Sequence, residues 1–256
     1  MCTIALLWKW HPAAPLILAQ CRDELLERPA LDVERWRTDS GVEIVSGRDL
    51  LAGGTWFGIG PRVLCALTNR HDGLGPRRGA RSRGELVIEL LEHENVAAVR
   101  RHLSQRRGDD YGPFSLLACD GDELVYVDNR DNNVSVSLVQ PGVHVLGNRG
   151  LDNPADPIVL TVDAAVRALH DADEETLVTS LREILGRHGE GWPCVHKSLP
   201  VPGAHPGVLN YGTRSAGVLL WRTPSPRLWT HASAPHDVEQ WRESSYLLTA
   251  AMNDCA

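Results

Sequence analysis

Cys2 and the run Cys21-Arg22-Asp23-Glu24 are the residues whose types could do chemistry together. A small residue at position 2 favours removal of Met1, which would leave a thiol and a free α-amine on one residue. An unperturbed α-amine titrates at about 7.7–8.0 and a thiol at about 8.5, so near neutral pH the amine can take the thiol's proton. Nucleophile and base then come from a single terminal residue, which is the logic of N-terminal-nucleophile catalysis. A guanidinium and carboxylates nearby would bias which of the two groups carries charge.

The elements that must position these groups are local. Ile4-Ala5-Leu6-Leu7-Trp8 reads as a buried strand, and His11-Pro12-Ala13-Ala14-Pro15 breaks it, since proline fixes φ and removes a donor. Leu16 to Ala19 is a second apolar run, and the loop between them has hairpin length. The returning strand brings Cys21 to Glu24 back beside Cys2.

The rest of the chain reads as blocks of strands and helices. Pro29 to Gly41 is polar and irregular, with Trp36 as an anchor, and Val42 to Val45 alternates like a short strand. The Gly53-Gly54 pair permits close backbone approach. It precedes two strands, Thr55 to Ile59 and Val63 to Asn69, joined by a turn at Gly60-Pro61-Arg62. Ser82 with Glu85 is a capping-box pattern opening a helix, and Val96 to Leu103 has helical spacing. Phe114 to Cys119, Leu124 to Asp128, Val134 to Val139 and Val143 to Leu146 form a meander with Asp-Gly and Asn-rich turns, and Asn148 follows the last of them. Thr161 to Leu169 and Asp173 to Arg187 read as helices, the second capped by Asp173. Gly191 to Asn210 reads as a long loop, Ser215 to Trp221 and Arg227 to His231 as strands, and Trp241 to Ala251 as either a strand or a helix. Blocks of this kind argue against a doubly wound parallel sheet. They predict one domain over residues 1–256: an α+β protein of two mainly antiparallel sheets covered by helices.

Composition narrows the function. The chain has 256 residues, 43% hydrophobic and 23% charged, with a net charge of −7, which disfavours general attraction to nucleic acid or anionic membranes. The basic cluster Arg77-Arg78-Gly79-Ala80-Arg81-Ser82-Arg83 is a local exception, which a solvated loop explains without a ligand and for which anion binding is the alternative. No run reaches the ~18–20 apolar residues of a membrane span, and the N-terminus lacks a signal-peptide layout. A cytoplasmic protein without membrane insertion is expected. The six cysteines (2, 21, 65, 119, 194, 255) contain no C-x-x-C pair, which argues against a structural zinc site or a disulfide framework. Cys65 and Cys119 are expected to be buried, and Trp56, Trp221 and Trp229 to anchor the core. Cys194, His196 and His205 fit no compact zinc spacing and are expected to pack or be exposed, so no metal or cofactor is expected.

Seven stretches in order resemble one family: Met1-Cys2; Leu18-Ala19-Gln20-Cys21-Arg22-Asp23-Glu24 with Arg28-Pro29; Gly53-Gly54-Thr55-Trp56-Phe57-Gly58; Ala66-Leu67-Thr68-Asn69; Arg83-Gly84-Glu85-Leu86; Gly147-Asn148; and Tyr211-Gly212-Thr213-Arg214. Together they resemble the NRDE family, also called the transport and Golgi organisation protein 2 family. Cys21 stands where the family's naming motif has asparagine, a change that alters the pocket if that position faces substrate. The family is similar to cysteine N-terminal-nucleophile hydrolases. That resemblance implies an αββα sandwich and an amidohydrolase or acyltransferase acting on a small non-peptide amide through a thioester at Cys2. It further implies Arg22 beside the thiol favouring thiolate, Asp23 orienting the amine or thiol, Asn69 and Asn148 as oxyanion donors, and Arg214 completing the charged cluster. As an alternative it implies a non-catalytic protein on the same scaffold that binds or traffics haem or an acyl lipid.

Overall fold

The computed structural model describes residues 2–71, 79–130, 133–200, 208–222, 226–231 and 240–248. The chain opens with strands β1 (Thr3–His11), β2 (Ala14–Leu25), β3 (Ala30–Arg37), β4 (Glu43–Asp49), β5 (Phe57–Ile59) and β6 (Leu64–Asn69). Helices α1 (Arg83–Leu91) and α2 (Val96–Leu103) follow, then β7 (Phe114–Cys119), β8 (Leu124–Asp128), β9 (Ser135–Leu138), β10 (Gly142–Gly147) and β11 (Gly150–Leu151). Helices α3 (Pro157–Arg167) and α4 (Glu174–Gly186) precede β12 (His196–Pro200), β13 (Val208–Trp221), β14 (Arg227–His231) and β15 (Arg242–Glu243).

Two antiparallel sheets result. One runs β11-β10-β1-β2-β13-β14-β15, with β12 paired to β13; the other is the meander β3-β4-β5-β6-β7-β8-β9. Successive side chains of a strand point to opposite faces, and the three apolar clusters follow that alternation. Ile4, Leu6 and Trp8 of β1 face inward with Leu16 and Leu18 of β2, meeting Phe57, Ile59, Leu64 and Leu117 of the meander. Ala5, Leu7, Ile17 and Ala19 face outward beneath Val159 and Val162 of α3 and Leu177 and Leu181 of α4. Ile44, Cys65, Leu116 and Ala118 face the other way, beneath Leu86 and Leu90 of α1 and Val99 of α2. The strand and helix blocks predict two antiparallel sheets covered by helices, and the clusters place a helix pair on the outer face of each sheet. Cys65 and Cys119 are buried, and so are Trp221 and Trp229.

The helix starts follow from their caps. Ser82 accepts from the Glu85 N–H, Asn95 from that of Ala98, Asp156 from that of Ile158 and Asp173 from that of Thr176. Two segments differ from their sequence reading. Residues 30–37 form β3 rather than irregular chain, and part of the long loop forms β12 and the start of β13. Both β3 and β12 pair on one side only, and an edge strand with a solvated face carries polar residues that mimic a loop. Trp36 anchors β3 by donating from Nε1 to Ser46 Oγ at 3.0 Å. Between Trp241 and Leu248 the chain forms only the short β15 and a 3₁₀ turn at Ser245–Leu247; the rest of that segment lies outside the described residues.

The two glycine-bearing motifs meet each other. A Cβ on Gly54 would lie 2.3 Å from the Gly84 carbonyl carbon, and one on Gly84 would lie 3.0 Å from the Gly54 Cα. The Thr55 N–H donates to the Gly84 carbonyl at 3.2 Å, so the start of α1 is clamped onto the turn after β4. Gly54→Ala forces backbone apart, and we expect it to lower stability by about 1–3 kcal/mol, read as a shift of the urea midpoint at constant m-value.

Candidate active site

The pairing of β1 with β2 sets Thr3 opposite Cys21, so Cys2 sits next to Arg22 and Asp23. Cys2 is half-buried, and its Sγ lies 3.8 Å from the Asp23 carbonyl oxygen. The thiol opens into a cavity of about 560 Å³ between the two sheets and the start of α1. Arg22, Asp23 and Asn69 line the same cavity, with Arg28, Asp49, Trp56 and Arg83.

Arg22 is fixed from two sides. Its guanidinium carbon stands 4.1 Å from the centroid of the Trp56 ring, and its Nη2 lies 3.4 Å from Asp49 Oδ2. Arg28 donates from Nε to that same oxygen at 2.7 Å. Asp49 Oδ1 accepts from the N–H groups of Leu51 and Ala52, both at 3.0 Å. Arg22 Nη1 is buried with no hydrogen-bond partner among the described residues, a donor left for a bound molecule or water. Trp56 thus serves as the platform for Arg22, beyond the core role its sequence suggests.

Asp23 lines the cavity of Cys2 too, and its carboxylate is held from β13. Its Oδ1 accepts from Thr213 Oγ1 at 2.7 Å, and its carbonyl accepts from the Tyr211 hydroxyl at 3.4 Å. Thr213 stands opposite Asp23 in the pairing of β2 with β13, and the register then shifts so that Ser215 stands opposite Arg22. The irregularity falls on Arg214 and re-aims it, as bulges do. Its guanidinium donates to the Leu26 carbonyl and lines a different cavity of about 520 Å³, which also reaches Arg22.

Burial, then the Asp23 charge, push the Cys2 thiol up, while the Asp23 carbonyl beside the sulfur and the Arg22 charge pull the other way. Arg22 acts in the direction that favours thiolate, and burial outweighs it. Burial also raises the Asp23 carboxyl.

The asparagines divide. Asn69, at the end of β6, is exposed and lines the cavity that holds Cys2. Asn148 is buried behind it and donates from Nδ2 to the Asn69 carbonyl, while its own carbonyl accepts from the His71 N–H at 2.8 Å. Asn148 Oδ1 is buried without a partner among the described residues. Asn148 braces Asn69 and faces a larger cavity of about 1300 Å³. Cys21 does not line the cavity of Cys2. It is 2% exposed in the outer core, its Sγ 3.9 Å from the Pro193 carbonyl, so the change from the family asparagine falls at a packing position.

Of the remaining candidates, Cys194 is buried and His196 exposed, and the structure adds His188 beside them; one donor atom from each lies within 4.8 Å of the others. Burial pushes the Cys194 thiol up to about 11. His205, Arg77 and Arg78 lie outside the described residues. Arg28, Asp49, Arg83 and His188 escape sequence reasoning. Arg28 and Arg83 sit inside the quoted motifs, whereas Asp49 has only its place before a glycine turn to mark it.

This sandwich of two antiparallel sheets and four helices, with Cys2 at the mouth of an inter-sheet cavity, defines an α+β protein with a cysteine-bearing pocket. The chain belongs to the Transport and Golgi organisation 2 family, whose model matches residues 1–226. It is 37% identical over 233 residues to the Transport and Golgi organization protein 2 homolog of Bos taurus, covering 80% of this chain and 81% of that protein. It is 30% identical over 263 residues to the homologs of Homo sapiens and Mus musculus, covering 91% of this chain and 92% of each of them. No helix among the described residues is long and apolar enough to cross a membrane.

Asp49 yields a pH test. Burial alone would raise its carboxyl, but the Arg28 hydrogen bond, the Ala52 N–H and the two guanidinium charges outweigh burial and hold it below the usual range. A depressed carboxyl stabilises the fold above its unfolded value of about 3.9, and that contribution is lost as pH falls through the lower folded value. Asp49→Asn should cost about 1.5–3 kcal/mol at pH 6. The gap between variant and wild type in urea denaturation should narrow below pH 4.

Proposed function

We propose that this protein is a cysteine N-terminal-nucleophile hydrolase or acyltransferase that cleaves a small non-peptide amide through a thioester at Cys2. The observation that carries the reading is the Cys2 thiol sharing one ligand-sized cavity with Arg22, Asp23 and Asn69. The reading requires removal of Met1. The freed α-amine then takes the thiol proton, which matters because burial and Asp23 keep the thiol protonated on its own. Sulfur bonds to the substrate carbonyl carbon, the carbon–nitrogen bond breaks, and the proton leaves with the amine. Water or a second acceptor then takes the acyl group and regenerates the thiol.

Asp23, held by Thr213, orients the amine. Asn69 supplies a donor to the carbonyl oxygen as it gains charge, a contribution of about 3–4 kcal/mol where such a donor is removed. Asn148 acts through Asn69, and Arg214 acts as a strap on the Leu26 carbonyl. Arg83 lines the cavity, donates to the Pro113 carbonyl at 2.9 Å and feels the Glu24 charge without a close ion pair among the described residues, so it can receive an anionic group on the substrate. The five described cysteines are free thiols, which suits a reducing cytoplasm.

Intact mass should show loss of Met1, and an electrophilic amide analogue should label Cys2. Cys2→Ala and Cys2→Ser should lower turnover of acyl-amides by at least about 10³-fold, the scale on which loss of a nucleophile leaves only residual catalysis. Activity unchanged by both substitutions rules the reading out. A second reading, a haem or acyl-lipid carrier, draws on the separate cavity of about 1300 Å³ lined by Asn148, Ile158 and Trp192. Haem titration tests it: stoichiometric binding without labelling at Cys2 favours the carrier, and an unchanged haem spectrum removes haem as its ligand.

A further inference from the structure

The loop between α4 and β12 is built to bring three donors together. Gly189 and Gly191 have φ of +118° and +78°, a conformation that side chains beyond glycine rarely adopt. The turn they make lets the Cys194 N–H donate to the Arg187 carbonyl at 3.1 Å and pairs His188 with Cys194 as a parallel bridge. A second glycine fixes the third donor. His196 stands opposite Gly212 in the pairing of β12 with β13, and a Cβ on Gly212 would lie 3.3 Å from His196 Nδ1 and 2.6 Å from the Val195 carbonyl.

The outcome is a compact triad. Cys194 Sγ lies 3.7 Å from His188 Nε2 and 3.7 Å from His196 Nε2. Zinc bonds of about 2.3 Å to sulfur and about 2.0–2.1 Å to imidazole nitrogen, at tetrahedral angles, place sulfur and nitrogen about 3.6 Å apart. The two sulfur–nitrogen edges are therefore already at the spacing a bound ion needs. All three residues line the cavity of about 1300 Å³, which leaves a fourth position open to its interior. Porphyrin iron offers protein ligands only its two opposite axial positions, so three donors converging on one point suit a bare ion better than haem.

We propose that His188, Cys194 and His196 form a binding site for a zinc ion, with water or an oxygen donor from a cavity ligand as the fourth partner. The proposal does not rest on the hydrolase reading, since Cys2 lines a different cavity. Binding replaces the Cys194 thiol proton by two-electron donation from sulfur to the ion, and the proton passes to solvent. One thiolate and two imidazoles are a mixed soft and borderline set, which favours zinc over magnesium or calcium.

The test uses the full chain under reducing conditions, with Zn(II) in competition with a chromophoric chelator. One ion per chain should bind at micromolar free zinc or below. His188→Ala and His196→Ala change exposed residues and leave the fold intact by circular dichroism. Each should weaken binding by at least the roughly 10–100-fold that loss of a mere outer-shell partner costs. Co(II) in place of zinc should give a thiolate charge-transfer band that vanishes in Cys194→Ser and persists in Cys2→Ala. No uptake by the wild type, or uptake that both histidine variants retain at full affinity, overturns the proposal. A Co(II) band that survives Cys194→Ser but disappears in Cys2→Ala overturns it too and moves the ion to the other cavity.

Discussion

The antiparallel register of β2 between β1 and β13 is the constraint on which the rest of this molecule depends. Thr3 opposite Cys21 fixes Cys2 beside Arg22, and Thr213 opposite Asp23 gives that carboxylate its hydroxyl partner. A one-residue slip would send every side chain to the opposite face. Arg22 would leave Trp56 and enter the outer core, and Cys21 would take its place in the cavity. The slip is resisted because both faces of β2 are buried. Leu16 and Leu18 belong to the core between the sheets, and Ile17 and Ala19 to the core beneath α3 and α4.

Two chemistries meet along this strand. The inward face carries Arg22, braced by Trp56 and Asp49, beside the thiol of Cys2. Asp23 lines the same cavity and hydrogen-bonds through Thr213 toward the loop of His188, Cys194 and His196: the Val195 N–H donates to Thr213 Oγ1 at 3.0 Å. The carboxylate is thus the hinge between the cavity of Cys2 and the histidine-lined cavity. A charge change on either side is felt there, and burial makes that effect larger than it would be in water.

Close backbone contact without side chains recurs wherever the site needs it. Gly54 and Gly84 clamp the first turn of α1 onto the cavity wall, and Gly212 lets the His196 ring lie over β13. These glycines fall in three separate motifs of the sequence. Their shared role is visible only when the partner backbone is present, because each is small for the sake of a residue far away in the chain.

The sequence by itself determined the local elements. Strand alternation, helix caps at Ser82 and Asp173 and the first hairpin are written in neighbouring residues, because capping and periodicity act over a few positions. It also named Cys2, Arg22, Asp23 and Asn69, which the fold gathers around one cavity. The edge strands β3 and β12 were not legible, since a solvated strand carries the polar residues of a loop. Tertiary structure alone decided that Asn148 braces Asn69 instead of lining that cavity, that Arg214 straps Leu26, and that Asp49 holds Arg22 and Arg28. It also decided that His188, Cys194 and His196 converge. Each of these depends on register and on a bulge or turn between distant segments, and a side chain's direction there is set by long-range pairing that no local window of sequence contains.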